Sequence, residues 1–217
     1  MPTKELLIEY WRKKFVDERL IAAFNNIPRE LFVPKQFQEI AYLDQPLPTF
    51  RQQSVSQPTT TMIMLQALSL QPGEKVFELG SGGGYETALI SKMVGKKGKV
   101  VSAEVIPELV QIAKTNSEMM GIHNLLFLEA DGSEGYLPQA PYDKAIITAA
   151  CPAIPQPIID QLREGGIVIA PIGDIKEQVL VKGTKVNGRL DLEFLGSFQF
   201  MPMKGKHGFK ECDLLYD

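Results

Sequence analysis

The stretch FELGSGGGYETA, Phe77 to Ala88, constrains the fold of this chain more than any other. A short apolar run, KVFELG, enters a turn that has glycine at four of five positions: Gly80, Gly82, Gly83 and Gly84. A helical pattern from Tyr85 to Val94 leaves it. Glycine accepts positive φ and lets backbone come close to a ligand, while a helix start offers unpaired N–H groups. An apolar strand feeding a helix in this way needs parallel neighbours on its edges and helices on its faces. The sequence supplies them. KVVSAE follows, then a helix from Pro107 to Met120, LLFLEA, a loop, KAIITAA, a helix from Gln156 to Arg163, and GIVIAP. Strands alternating with helices predict an α/β fold with a doubly wound, mostly parallel, Rossmann-like sheet.

Both ends depart from that rhythm. Leu6, Leu7, Tyr10 and Trp11, then Leu20, Ile21 and Phe24 behind a capping Asp17, recur at helical spacing. Pro28 and Pro34 break the next stretch into short turns. A further helix should run from Thr59 to about Ser69, capped by Ser56 or Gln57, with Pro58 in its first turn. At the other end, EQVLVKGTKVNGRLDLEFLGSFQF alternates with period two around Asn187-Gly188, which predicts closing antiparallel strands. The chain of 217 residues is read as one domain. Residues 1–58 form a helical segment and a polar lip, 59–172 the ligand-binding core, and 173–217 the antiparallel strands and tail.

The glycine turn lacks the Gly-Lys-Ser/Thr of a phosphate-binding loop, and Tyr85 stands where a dinucleotide fingerprint wants glycine or alanine. Glu78, two residues before Gly80, would repel a pyrophosphate and suit a cationic ligand. S-Adenosylmethionine, with its ammonium and sulfonium, is such a ligand. Glu104 ends the next strand, twenty residues beyond Gly84, where a carboxylate takes ribose hydroxyls. Asp131-Gly132 follows the third strand, where an acceptor could meet an adenine amino group. One acid at a strand end is an ordinary loop residue. Three at successive strand C-termini mark a ligand edge. The expected cofactor contacts are Glu78, Gly80, Ser81, Gly82, Gly84, Glu104, Asp131 and Gly132.

Composition excludes other classes. A net charge of -3 offers no basic field for nucleic acid or anionic lipid, and no apolar run is long enough to span a bilayer. Cys151 and Cys212 form no disulfide or zinc pattern, so no metal is expected. MPTKELLIEYWRKK lacks the apolar core of a signal peptide. A cytoplasmic chain is expected, with nothing to specify an oligomer; a monomer is the simplest expectation.

One segment is left over. QQSVSQPTTT, Gln52 to Thr61, is almost wholly hydroxyl and amide, yet it precedes the glycine turn closely. Its core SVSQP resembles the Ser/Thr-apolar-Ser-x-Pro signature of the protein-L-isoaspartate O-methyltransferases. IPRELFVP resembles that family's N-terminal segment. FELGSGGGY, SAEVIPEL, ADGSEGY, PYDKAIITAA and LREGGIVIAPIG resemble its cofactor and core motifs in order, and FMPMKGKHGF its closing segment. The resemblance covers nearly the whole chain. It implies the class I methyltransferase fold, S-adenosylmethionine as cofactor, and methyl transfer to the α-carboxylate of L-isoaspartyl residues in damaged proteins and peptides. It implies a catalytic role for Ser56, with Ser54, Gln57 and Pro58 at the substrate.

The residues themselves leave Ser56 open to a second role, as a helix cap. A carboxylate nucleophile is already ionised at neutral pH, which suits a chain whose His123 and His207 both lie away from the glycine motif. The chain departs from the family pattern at FRQQ, where small residues are common, and at the TTT after Pro58. These departures bear on substrate preference. Methyl transfer to another carboxylate or a small molecule is the alternative, as is a non-catalytic module that binds S-adenosylmethionine.

Overall fold

A computed structural model describes residues 3–14 and 17–210; Cys212 lies outside them. Alternation along the strands decides the architecture. In β3 (Lys75–Leu79), Val76 faces one side of the sheet while Phe77 and Leu79 face the other. The same split separates Val100 from Val101 and Ala103 in β4 (Lys99–Glu104). It recurs in β6 (Tyr142–Ile147), where Ile146 opposes Ala145 and Ile147, and in β7 (Leu162–Gly173), where Ile169 opposes Val168 and Ala170. Side chains alternate with period two, so a sheet apolar on both faces needs cover on both.

One face is covered by the N-terminal helices α1 (Lys4–Lys14), α2 (Glu18–Asn26) and α3 (Pro58–Leu68), and by α4 (Tyr85–Val94). Trp11 and Phe24 meet edge to face at 4.5 Å in that core. Asp17 caps α2, accepting from Arg19 N at 2.9 Å as its position predicts. Short 3-10 turns at Arg29–Phe32 and Lys35–Ile40 follow the two prolines. The other face packs on α6 (Gln156–Gln161), with Cys151 and Met203 buried there.

The seven-stranded sheet has the order β5-β4-β3-β6-β7-β8-β9, where β5 is Leu125–Glu129, β8 Gln178–Val186 and β9 Arg189–Phe198. The first five strands are parallel, and β8 and β9 are antiparallel. Asn187 and Gly188 turn the final hairpin with φ of 51° and 75°, the left-handed pair that a two-residue turn requires. The order reverses between β3 and β6, which leaves a crevice beyond their C-terminal ends.

Two boundaries differ from expectation. The helix expected to reach Arg163 stops at Gln161, because Leu162 turns extended and pairs with Tyr142. The strand expected through Ala150 ends at Ile147. There Thr148 turns its hydroxyl back onto the Leu79 and Gly80 carbonyls, at 2.9 and 2.7 Å.

Candidate functional site

At the crevice lies a cavity of about 760 Å³. Its floor is the glycine turn, and one wall is the end of β4 with the first turn of α5 (Pro107–Met119). The polar lip and the segment Gln199 to Lys204 close over it. A cavity of that size holds a nucleoside-sized cofactor together with part of a substrate.

Glu104 is the best-held acid on the wall. Its Oε2 accepts from Gly82 N at 3.1 Å and its Oε1 from Ile106 N at 3.0 Å. Burial pushes its carboxyl above the ordinary carboxylate range, and the amides of Ile106 and Gly82 and the charge of Lys204 oppose that rise. Each oxygen keeps acceptor capacity toward the cavity. Gly82 has φ of 51°, and a Cβ built on it would meet nothing within 4 Å. No protein packing therefore demands that glycine's open side, which leaves room for a ligand against the backbone. Gly80 is constrained from within: its φ is 92°, and a Cβ would fall 2.4 Å from Thr148 Oγ1. Gly132 also lines the wall, and a Cβ there would sit 2.8 Å from Leu79 Cγ. Ser81 lines the floor.

Three of the expected contacts point elsewhere. Glu78 is fully buried behind the wall, where its Oε2 accepts from Thr87 Oγ1 and Ser102 Oγ. Burial pushes its carboxyl up to about 7 against those two hydroxyls, with Glu104 adding to the rise. The β-strand period turns it away from the crevice, so it braces α4 and β4 instead of facing a ligand. Asp131 is taken by the chain's own backbone. It accepts from Ser133 N at 2.9 Å and from Lys206 N at 2.7 Å, which ties the closing segment down. Burial opposes its ionisation, but these amides outweigh it and hold the carboxyl below its usual range. Gly84 is the N-cap of α4 at φ 91°, and a Cβ there would press on Ala113 at 3.1 Å; its job is helix–helix approach.

The lip resolves the choice of cap. Gln57 occupies the N-cap position of α3 without any side-chain capping bond, and Pro58 fills the first turn, buried off the cavity. The cap comes from Asp44 instead. Its Oδ1 accepts from Thr59 N at 2.9 Å and its Oδ2 from Thr59 Oγ1 at 2.7 Å. Trp11 Nε1 in turn donates to Thr59 Oγ1 at 3.0 Å. Ser54 and Val55 form a two-residue strand, β2, paired with β1 (Leu47–Pro48). That pairing carries Ser54, Ser56 and Gln57 to the cavity, and no described residue hydrogen-bonds the Ser56 hydroxyl.

Several lining residues escaped the sequence reading. Thr61, Tyr85 and Glu86 were hidden as ordinary residues in the opening turns of α3 and α4, and Thr148 as the end of a strand. Phe200, Met201 and Lys204 belong to a segment whose place over the cavity is set by long-range contacts such as Met203 N to Ala150 O at 2.8 Å. Arg51 and Gln52, at φ of 55° and 59°, turn the lip so that Arg51 reaches Glu108 at the rim.

A family description for protein-L-isoaspartate(D-aspartate) O-methyltransferase matches residues 2–208. The chain belongs to that family. A protein-L-isoaspartate O-methyltransferase of Archaeoglobus fulgidus is 41% identical over 211 residues, covering 97% of each chain. One from Methanothrix thermoacetophila is 42% identical over 208 residues, covering 96% of this chain and 98% of its own. A solved protein-L-isoaspartate O-methyltransferase superposes with a TM-score of 0.86 at 32% identity, covering 95% of this chain and 67% of that one. A Plasmodium falciparum structure in complex with S-adenosyl-L-homocysteine has a TM-score of 0.81 at 22% identity, over 94% and 99% of the two chains. That last likeness speaks for the fold. The family is S-adenosylmethionine-dependent, and this chain carries its methyltransferase sheet with the closing antiparallel strands.

Proposed function

We propose that this chain transfers the methyl group of S-adenosylmethionine to the α-carboxylate of L-isoaspartyl residues, as a repair enzyme for damaged proteins and peptides. The observation that carries it is the Ser56 hydroxyl, free of any capping duty, lining the same cavity as Glu104 and the glycine turn. The cavity's residues suit the cofactor: an acidic wall at Glu104, an open glycine at Gly82, and two further buried oxygens, on Thr61 and Glu86, with no hydrogen-bond partner among the described residues. Glu104 and the Gly80–Gly82 backbone would hold the adenosyl half, which leaves the lip side for the substrate.

When bound, the cofactor supplies an electrophilic methyl on a sulfonium. The chain's own task is then placement. Ser56 donates a hydrogen bond to the attacking carboxylate, and Ser54 and Gln57 frame it beside the buried Val55. No base is required, because an isoaspartyl carboxylate is ionised well below neutral pH. The lip and the Gln199 to Lys204 segment cover the cavity and limit water, and alignment of this kind accounts for most of a methyl transfer's acceleration. A peptide amide nitrogen of the substrate then attacks the methyl ester and displaces methanol to give a succinimide, which water reopens in part to aspartate.

The whole chain acts as one unit in this proposal, because lip, core and tail all line one cavity. We assign it to the cytoplasm as a monomer that uses neither nucleic acid nor a metal. No helix among the described residues is long and apolar enough to cross a membrane. Incubating an isoaspartyl peptide with enzyme and S-adenosylmethionine, followed by chromatography, tests the reading. Succinimide and then aspartyl peptide should accumulate. An isoaspartyl peptide that stays unchanged, with another carboxylate methylated in its place, favours the alternative substrate class.

A further inference from the structure

The acid that the mechanism leaves unused is Glu86, the second residue of α4. It is only 8% exposed, lines the cavity beside the glycine turn, and its Oε1 has no hydrogen-bond partner among the described residues. A buried carboxyl oxygen without a donor is costly, and a native chain keeps one where something outside the chain completes it. The neighbours do not complete it. Arg29, fully buried under the Tyr85 ring with its guanidinium 5.1 Å from the ring centre, donates from Nε to the Ala41 carbonyl and from Nη2 to the Val55 carbonyl; its Nη1 has no hydrogen-bond partner among the described residues, and no ion pair joins it to Glu86. Glu78, buried behind the wall on β3, is a second carboxyl and opposes the ionisation of Glu86.

We propose that Glu86 receives the α-ammonium of the methionyl half of the cofactor. This rests on the cofactor reading above and extends it to the end of the ligand that Glu104 does not reach. The chemistry selects the ammonium from the charged groups that enter the cavity. A substrate carboxylate would be repelled by an ionised Glu86. A sulfonium has no N–H to give the orphaned oxygen. An ammonium brings both a positive charge and donors. Glu104 and Glu86 then hold the two ends of an extended ligand, and the sulfonium between them stays open to in-line attack from the lip.

A consequence follows for protons. Burial pushes the Glu86 carboxyl well above its ordinary range; Glu78 adds to that rise and Arg29 opposes it, while the neighbouring Tyr85 phenol is itself pushed up by burial. Pairing with an ammonium opposes that rise, so binding favours the ionised carboxylate and proton release.

Calorimetry on the full chain tests this with two probes: S-adenosylhomocysteine, and its deamino analogue, which keeps the adenosine, thioether and carboxylate. Wild type should favour the amine-bearing ligand by roughly ten- to hundredfold, the span of a charge-assisted hydrogen bond. Glu86→Gln should shrink that preference about tenfold while binding the deamino analogue as wild type does. Independently of any variant, wild type at pH 6 should release protons on binding S-adenosylhomocysteine, read as a dependence of heat on buffer, and none on binding the analogue. Equal affinity of wild type for the two ligands overturns the proposal, as does a preference undiminished in Glu86→Gln. Identical proton release with both ligands overturns it too. If wild type binds neither ligand, the cofactor reading itself falls and this inference with it.

Discussion

Replacing Ser56 by alanine separates a substrate contact from a helix cap, and the structure sets different magnitudes for each. Its hydroxyl has no partner among the described residues, while Asp44 holds both the amide and the hydroxyl of Thr59 at the start of α3. Ser56→Ala should therefore leave the denaturation midpoint and S-adenosylhomocysteine affinity unchanged. Asp44→Ala should cost about 1 kcal/mol, the ordinary value of a lost N-cap, with a further cost through the Trp11 bond to Thr59. In catalysis the order reverses. A hydrogen bond to a charged carboxylate is worth about 1.5–3 kcal/mol, and if it strengthens in the transition state its loss slows methyl transfer by roughly one to two decades. Asp44→Ala, corrected for its folded fraction, should transfer methyl at nearly the wild-type rate. Urea denaturation and single-turnover methylation on both variants, with Ser56→Thr as a partial rescue, provide the readouts. A Ser56→Ala enzyme that loses stability but keeps its rate per folded molecule would refute the substrate contact.

Other changes probe the rest of the site. Glu104→Ala should weaken S-adenosylhomocysteine binding by roughly 1.5–3 kcal/mol, because its carboxylate also positions Gly82; unchanged affinity in a folded variant removes it from the wall. Asp131→Ala should loosen the closing segment, seen as faster protease cleavage near Lys206, while adenine discrimination changes little. If N6-methylated and plain cofactor become indistinguishable, Asp131 reads the base after all. For Glu78, a carboxyl raised to about 7 contributes stability that is present below its unfolded value of 4.5 and lost as pH rises through 7, about 3 kcal/mol in all. Glu78→Gln should accordingly gain on wild type between pH 5 and 8 in denaturant titrations; parallel curves would mean that Glu78 does not titrate in this window.

What could be read before folding was whatever depends on local rhythm. The short apolar run KVFELG, the glycine turn and the Asn187-Gly188 hairpin each announce their element from a few residues. The site is harder, since strand ends say which residues sit near a ligand but not where their side chains aim. Glu78, Glu104 and Asp131 looked alike in sequence. Strand parity buried the first, two backbone amides oriented the second at the wall, and a tail seventy-five residues away occupied the third. Asp44 as the cap of α3, fifteen residues from Thr59, was likewise invisible to rules that look one turn back. Glu86 hid in the first turn of α4, where an acid is ordinary.

The most direct measurement gives the enzyme methyl-labelled S-adenosylmethionine and a matched pair of peptides that differ only in an isoaspartyl or aspartyl linkage. The account predicts label on the isoaspartyl peptide alone, in a base-labile ester that releases methanol. Label on both peptides equally, or on neither while a small carboxylate accepts it, would contradict the central claim.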